Sequence, residues 1–211
     1  MKDATDIAVV LDRSGSMQNI QHDTEGGFNT FVKEQKEQPG EAKLSLYQFD
    51  DKYEVVYENM DLNNVPALSL IPRGYTALLD AVGKTIQSRG EYYASLAEED
   101  RPERIVFVII TDGEENHSTE YTLDAVKSLI TLQKETYKWQ FVFLGADINS
   151  VAVGSSMGIS KGSTMDFAKS PVGVANTYSN LSKNISSYRS CASREVSFSD
   201  ADRIDSMKTD N

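Results

Sequence analysis

The chain has 211 residues, 39% hydrophobic and 25% charged, with a formal net charge of -11. That length suits one domain with a core of its own, and the acidic balance argues against nucleic acid or an anionic membrane as partner, since both reward basic surfaces. Cys191 is the only cysteine, which excludes an intrachain disulfide and a cysteine-rich zinc site; no apolar run approaches the ~18 residues of a membrane span, and the polar, acidic start Met1–Asp6 is unlike a signal peptide, so the expected location is cytoplasmic.

Ile7 to Leu11 is apolar at every position, the pattern of a strand buried on both faces. Asp12-Arg13-Ser14-Gly15-Ser16 follows and breaks it abruptly. A helical pattern runs from about Ile20 to Gln38, with Thr24, Phe28, Phe31 and Val32 on one face, and Pro39-Gly40 ends it. Leu44 to Phe49 and Glu54 to Glu58 read as two strands joined by a few polar residues, which forces a hairpin and one antiparallel strand.

A proline-containing connection, Asn63 to Pro72, leads to Arg73-Gly74-Tyr75-Thr76 and a helix bearing Leu78, Leu79, Val82 and Ile86. Thr76 stands where an N-capping residue is expected. Arg104 to Ile110 is the most apolar run and the expected central strand; Thr111-Asp112-Gly113 ends it. Thr122 opens another helix, Gln140 to Ala146 is another strand, residues 147–156 hold a short helix with Asp147 as its expected cap, and Thr164 to Phe167 is a short edge strand. From Pro171, Val174, Tyr178, Leu181, Ile185 and Tyr188 repeat at spacings that make a last amphipathic helix.

Strands alternating with helices predict an α/β fold: a Rossmann-like open, mostly parallel central sheet with one antiparallel edge strand and helices on both faces. Residues 1–190 are expected to form the single domain and residues 191–211 a polar, flexible tail.

Three loops carry hard oxygen donors: Asp12, Ser14 and Ser16; Thr76; and Asp112. In open α/β sheets ligands bind at the carboxyl ends of the strands. Asp12 and Asp112 end two strands expected side by side, and Thr76 begins a helix that can point into the same crevice. Such donors suit Mg²⁺, with Ca²⁺ and Mn²⁺ in the same class, rather than soft metals. Taken singly, Asp12 reads as a helix cap and Ser14 as a turn residue; the case rests on all of them recurring at the right ends.

Asp-x-Ser-x-Ser after the first strand, a lone Thr before a helix and Thr-Asp-Gly after a central strand resemble the von Willebrand factor A domain and its metal-ion-dependent adhesion site. The order and spacing match from about Asp6 to Arg189, and the compact loops resemble stand-alone intracellular versions from bacteria and their viruses. The resemblance implies Ser14 and Ser16 as ligands, Thr76 as a conditional ligand, and Asp12 and Asp112 holding the shell directly or through water. It also implies a function: a metal-dependent protein-interaction module whose ion takes an Asp or Glu of a partner protein. With few charges around it, the ion would stay electrophilic.

Other readings of the same residues are weaker. Half of a calcium hand would place Asp23 at its twelfth position, but Met17 stands where the sharp-turn glycine belongs. A phosphatase with an aspartyl nucleophile would want a carboxylate where Ser14 stands. No Gly-x-Gly-x-x-Gly follows the first strand, which disfavours a dinucleotide. A hydrolase using the ion to activate water is the alternative; Glu114 and Glu115 are its best general bases, although both read as solvated charges at a helix start. His22 and His117 lack a zinc-site spacing, and Cys191 reads as inert. Tyr75 and Arg73, beside Thr76, suit either a protein interface or a loop packed on its own helix.

Overall fold

The structure, a computed structural model, describes residues 4–210. Strands β1 (Thr5–Asp12), β2 (Ala42–Phe49), β3 (Tyr53–Asp61), β4 (Arg104–Thr111), β5 (Gln140–Ala146) and β6 (Thr164–Phe167) form one sheet in the order β3-β2-β1-β4-β5-β6. All neighbours are parallel except β2 and β3, so the expected antiparallel edge strand is β3. The helices are α1 (Gln21–Lys36), α2 (Leu78–Ser95), α3 (Leu123–Tyr137), α4 (Ser150–Ser156), α5 (Pro171–Arg189) and α6 (Asp200–Ser206).

The continuous apolar run in β1 has a direct explanation. Successive side chains of a strand point to opposite faces, and both faces are covered. Ile7, Val9 and Leu11 enter a layer with Phe28 and Phe31 of α1 and Val174 and Tyr178 of α5. Ala8 and Val10 enter the other with Leu78 and Val82 of α2 and Val126 and Ile130 of α3. In β3, by contrast, Val55 and Val56 are exposed, as an edge strand permits.

β1 pairs with β2 on one side and β4 on the other. The chain thus leaves β1 toward one flank and later returns to the other, which opens a crevice at the carboxyl ends of β1 and β4. Leu11 is in register with Ile110, so Asp12 and Thr111 emerge together at that edge.

The expected loose tail is corrected. Val196 and Phe198 are buried in the layer that contains α1 and α5, and α6 follows with a capping box between Ser199 and Asp202. Asn180 of α5 donates to the Asp202 carbonyl (3.0 Å), and Arg203 donates to the carbonyls of Thr164 and Lys161. The segment has no broad apolar face of its own. Two inward side chains and polar bonds to distant carbonyls hold it, and helical periodicity does not register those.

Candidate metal centre

β1 delivers Asp12 fully buried at its last position. Its Oδ1 accepts the Ser14 N–H (2.6 Å), which closes the turn that follows. Its Oδ2 accepts from the Thr111 hydroxyl (2.5 Å), and that hydroxyl accepts the Gly113 N–H (3.2 Å). The first and third loops are therefore stitched together through one threonine. Ser16 Oγ donates to Asp112 Oδ1 (2.5 Å) and lies 3.0 Å from Ser14 Oγ.

Thr76 is buried and joins the same group. Its N–H donates to Asn116 Oδ1 (3.0 Å), and its carbonyl accepts from the N–H groups of Asn116 (3.0 Å) and His117 (3.2 Å). The convergence is clearest at Gly113. A Cβ added there would lie 3.0 Å from Thr76 Oγ1, 3.4 Å from Ser16 Oγ and 3.7 Å from Ser14 Oγ. Three hydroxyls from two loops thus lie side by side next to Gly113, and a side chain there would crowd Thr76 and Ser16.

Thr76 is not the helix cap. α2 starts at Leu78, with Ala77 at the capping position. The first N–H groups are served from the loop after β4 instead: Glu115 Oε2 accepts from Leu79 N–H (2.9 Å) and Ser118 Oγ from Asp80 N–H (3.0 Å). This arrangement leaves the Thr76 hydroxyl available to the cluster. It also occupies Glu115, which accepts as well from the N–H groups of His117 and Ser118 and from the Ser118 hydroxyl. Glu114 is exposed. Asp147 is not a cap either: Asn149 caps α4, and Asp147 pairs with Lys169.

Beneath the loops lies a charged scaffold that sequence reasoning did not detect. The buried Arg13 Nε pairs with Asp50 Oδ2 (2.9 Å), and its Nη1 reaches Glu54 Oε2 (2.6 Å). Arg73 Nε takes the same Asp50 oxygen (2.7 Å), so Arg73 braces a loop rather than projecting toward a partner. Its N–H donates to the Arg13 carbonyl (2.8 Å), and Gly15 N–H donates to the Gly74 carbonyl (3.2 Å), which locks the first and second loops. Gly74 has φ +69°, and a Cβ there would fall 2.0 Å from Asp51 Oδ1, so that turn needs a glycine. Burial pushes the Asp50 carboxyl up, but the bonds from Arg73 and the Lys52 N–H and the Arg13 charge bring it below its ordinary value.

Asp12 behaves differently. Burial raises its pKa from 3.8 to about 6, against the pull of its bonds to Thr111 and Ser14, and the nearby Asp112 charge adds to the rise. Among the described residues, no cationic side chain pairs with it. Asp112 does have a counter-charge: Lys169 Nζ lies 3.1 Å from its Oδ2. On the rim, Tyr75 is exposed and stacks on His117 (ring centroids 5.1 Å apart).

These residues fit a hard divalent cation. The donors are all oxygen, the hydroxyls of Thr76, Ser16 and Ser14 lie close together beside Gly113, and a cationic side chain already rests on one carboxylate. Among the described residues, no group of three or more His, Cys, Asp or Glu is arranged to hold a metal, so a carboxylate-rich or zinc-type site is not present there. No helix among them is long and apolar enough to cross a membrane.

The von Willebrand factor type A domain model matches residues 6–193. The chain belongs to that family, whose domains typically mediate protein interactions or adhesion. No curated protein matches it in sequence. Among solved structures, the pilus adhesin SpaC of Lactobacillus rhamnosus GG superposes with a TM-score of 0.65 at 15% identity, over 86% of this chain and 30% of that one. The vWF domain of the type V pili tip protein Mfa5 of Porphyromonas gingivalis gives 0.60 at 11%, over 86% and 94%. Proximal thread matrix protein 1 of the mussel byssus gives 0.59 at 18%, over 87% and 46%. The chain thus spans less than half the length of several structures it matches, and at such identities the likeness shows the fold.

Proposed function

We propose that the protein is a non-enzymatic, metal-dependent interaction module. Ser14, Ser16 and Thr76, backed by Asp12 and Asp112, hold Mg²⁺, and an acidic residue of a partner protein completes the site. The observation that carries this reading is the convergence of three hydroxyls on the Gly113 position with two buried carboxylates behind them. When bound, such an ion supplies a Lewis-acid position that takes a carboxylate oxygen. The chain's own residues do the rest. Thr111 and the Ser14 N–H orient Asp12, Ser16 orients Asp112, and Asn116 holds the Thr76 backbone.

A water-activating hydrolase needs a general base with a free oxygen at the site. Glu115, one of its two candidates, is engaged in capping α2, and no observation favours that reading. A cytoplasmic setting belongs to the proposal, supported by the single, exposed cysteine. The test is affinity capture with immobilised protein in Mg²⁺ and in EDTA, with the Ser14→Ala/Ser16→Ala double variant as control. Capture that requires Mg²⁺ and is absent from the double variant is expected. Capture unchanged in EDTA would show that no metal bridge is involved.

A further inference from the structure

Lys169 lies between β6 and α5, outside every motif that points to the cation site. Its Nζ bridges two carboxylates, 3.1 Å from Asp112 Oδ2 and 3.2 Å from Asp147 Oδ2. The backbone on either side of it is pinned. Ala168 N–H donates to the Ser206 carbonyl (2.9 Å), and Ser170 Oγ donates to the Lys208 carbonyl (2.9 Å). Ser170 also caps α5 by accepting the Gly173 N–H. The C-terminal segment thus holds Lys169 where it reaches the buried carboxylate.

Asp112 has two oxygens, and Ser16 occupies Oδ1. Oδ2 is left for a cation, and the lysine ammonium sits on it. We propose that Lys169 is a built-in competitor of the divalent ion: it neutralises Asp112 in the metal-free protein and sets how tightly the site takes a metal. This rests on the metal-site reading above. The side chain is placed for exchange, being 21% exposed where Asp112 is fully buried. Asp147, whose side chain is 65% exposed, retains the ammonium when Asp112 turns to the metal.

Two consequences follow from the electrostatics. A fixed positive charge next to a doubly charged ion raises that ion's dissociation constant. Removing the charge also leaves Asp112 buried without a counter-ion, which destabilises the metal-free protein but not the metal-loaded one. The competitor reading therefore ties tighter metal binding to a weaker metal-free fold, a pairing that a merely structural lysine does not produce.

The experiment measures Mn²⁺ affinity of the full chain, from the electron paramagnetic resonance of free Mn²⁺ and from calorimetry. The variants are Lys169→Met, Lys169→Gln, Lys169→Arg and Lys36→Met. The two neutral variants at 169 are expected to bind Mn²⁺ about tenfold more tightly or better, with Lys169→Arg close to wild type because the charge remains. Lys36, exposed in the last turn of α1 at the other end of the molecule, controls for net charge alone and leaves affinity unchanged. In EDTA the neutral variants melt below wild type, and Mn²⁺ raises their melting temperature by more. Equal finite affinities in wild type and both neutral variants, or weaker binding in the variants, overturn the competitor role while leaving the metal site intact. No binding by any variant, even at tens of millimolar Mn²⁺, overturns the site and the competitor together.

Discussion

Replacing Asp12 by Asn is expected to stabilise the metal-free protein while abolishing its metal affinity. Asp12 is fully buried, no cationic side chain pairs with it among the described residues, and its carboxyl titrates near 6 rather than 3.8. A carboxyl whose folded pKa lies above its unfolded value binds its proton more tightly when folded. Its contribution to stability is full below the unfolded value, near 3.8, and is lost as pH rises through about 6. A shift of about two units corresponds to roughly 3 kcal/mol, so the charged carboxylate costs the metal-free fold up to about that much at pH 7. Asn keeps an acceptor for the Ser14 N–H, and the Thr111 hydroxyl can turn to accept from its amide. The measurement is urea unfolding in EDTA from pH 4 to 8. Asn should gain about 2–3 kcal/mol above pH 7 and almost nothing near pH 4, and Mn²⁺ should stabilise wild type only. A variant that is less stable at pH 7, or one whose difference from wild type is the same at pH 4 and pH 8, would refute the argument that burial of an unpaired charge governs this position.

Three further outcomes can be checked. Gly113→Ala puts a methyl 3.0 Å from Thr76 Oγ1 and 3.4 Å from Ser16 Oγ; Mn²⁺ titration should show affinity reduced about 10- to 100-fold, with unfolding free energy changed by less than about 1 kcal/mol. Asp50→Ala strips the buried Arg13 and the half-exposed Arg73 of their shared carboxylate but leaves Arg13 paired with Glu54, so denaturant unfolding should reveal a loss of roughly 1–3 kcal/mol. Phe198→Ala should cost about 3 kcal/mol or more in the same assay, because that ring is buried in the main core; a change below about 0.5 kcal/mol would mean the C-terminal segment is loose after all.

Hydrophobic patterning determined much by itself. The runs Ile7–Leu11 and Ile105–Ile110 are apolar on both faces because both faces of the sheet are covered, so strand identity and central position were legible locally. The short loop after Leu44–Phe49 could only be a hairpin, which fixed β3 as antiparallel. That Asp12, Ser14, Ser16, Thr76 and Asp112 lie near one another was legible because each follows a strand or precedes a helix, and the fold brings such ends together.

What the tertiary structure decided are the partners that periodicity does not encode. Arg13 and Arg73 form one brace on the buried Asp50 although the three come from separate loops. α2 is capped by Glu115 and Ser118, more than thirty residues downstream of its start, so the cap expected at Thr76 is supplied from a distant loop. Lys169 meets Asp112 only because the C-terminal segment, unremarkable in sequence, pins the turn that carries it. Patterning reports whether a residue is buried. Which charge it faces depends on contacts between distant parts of the chain, and those follow from packing rather than from any local property of the sequence.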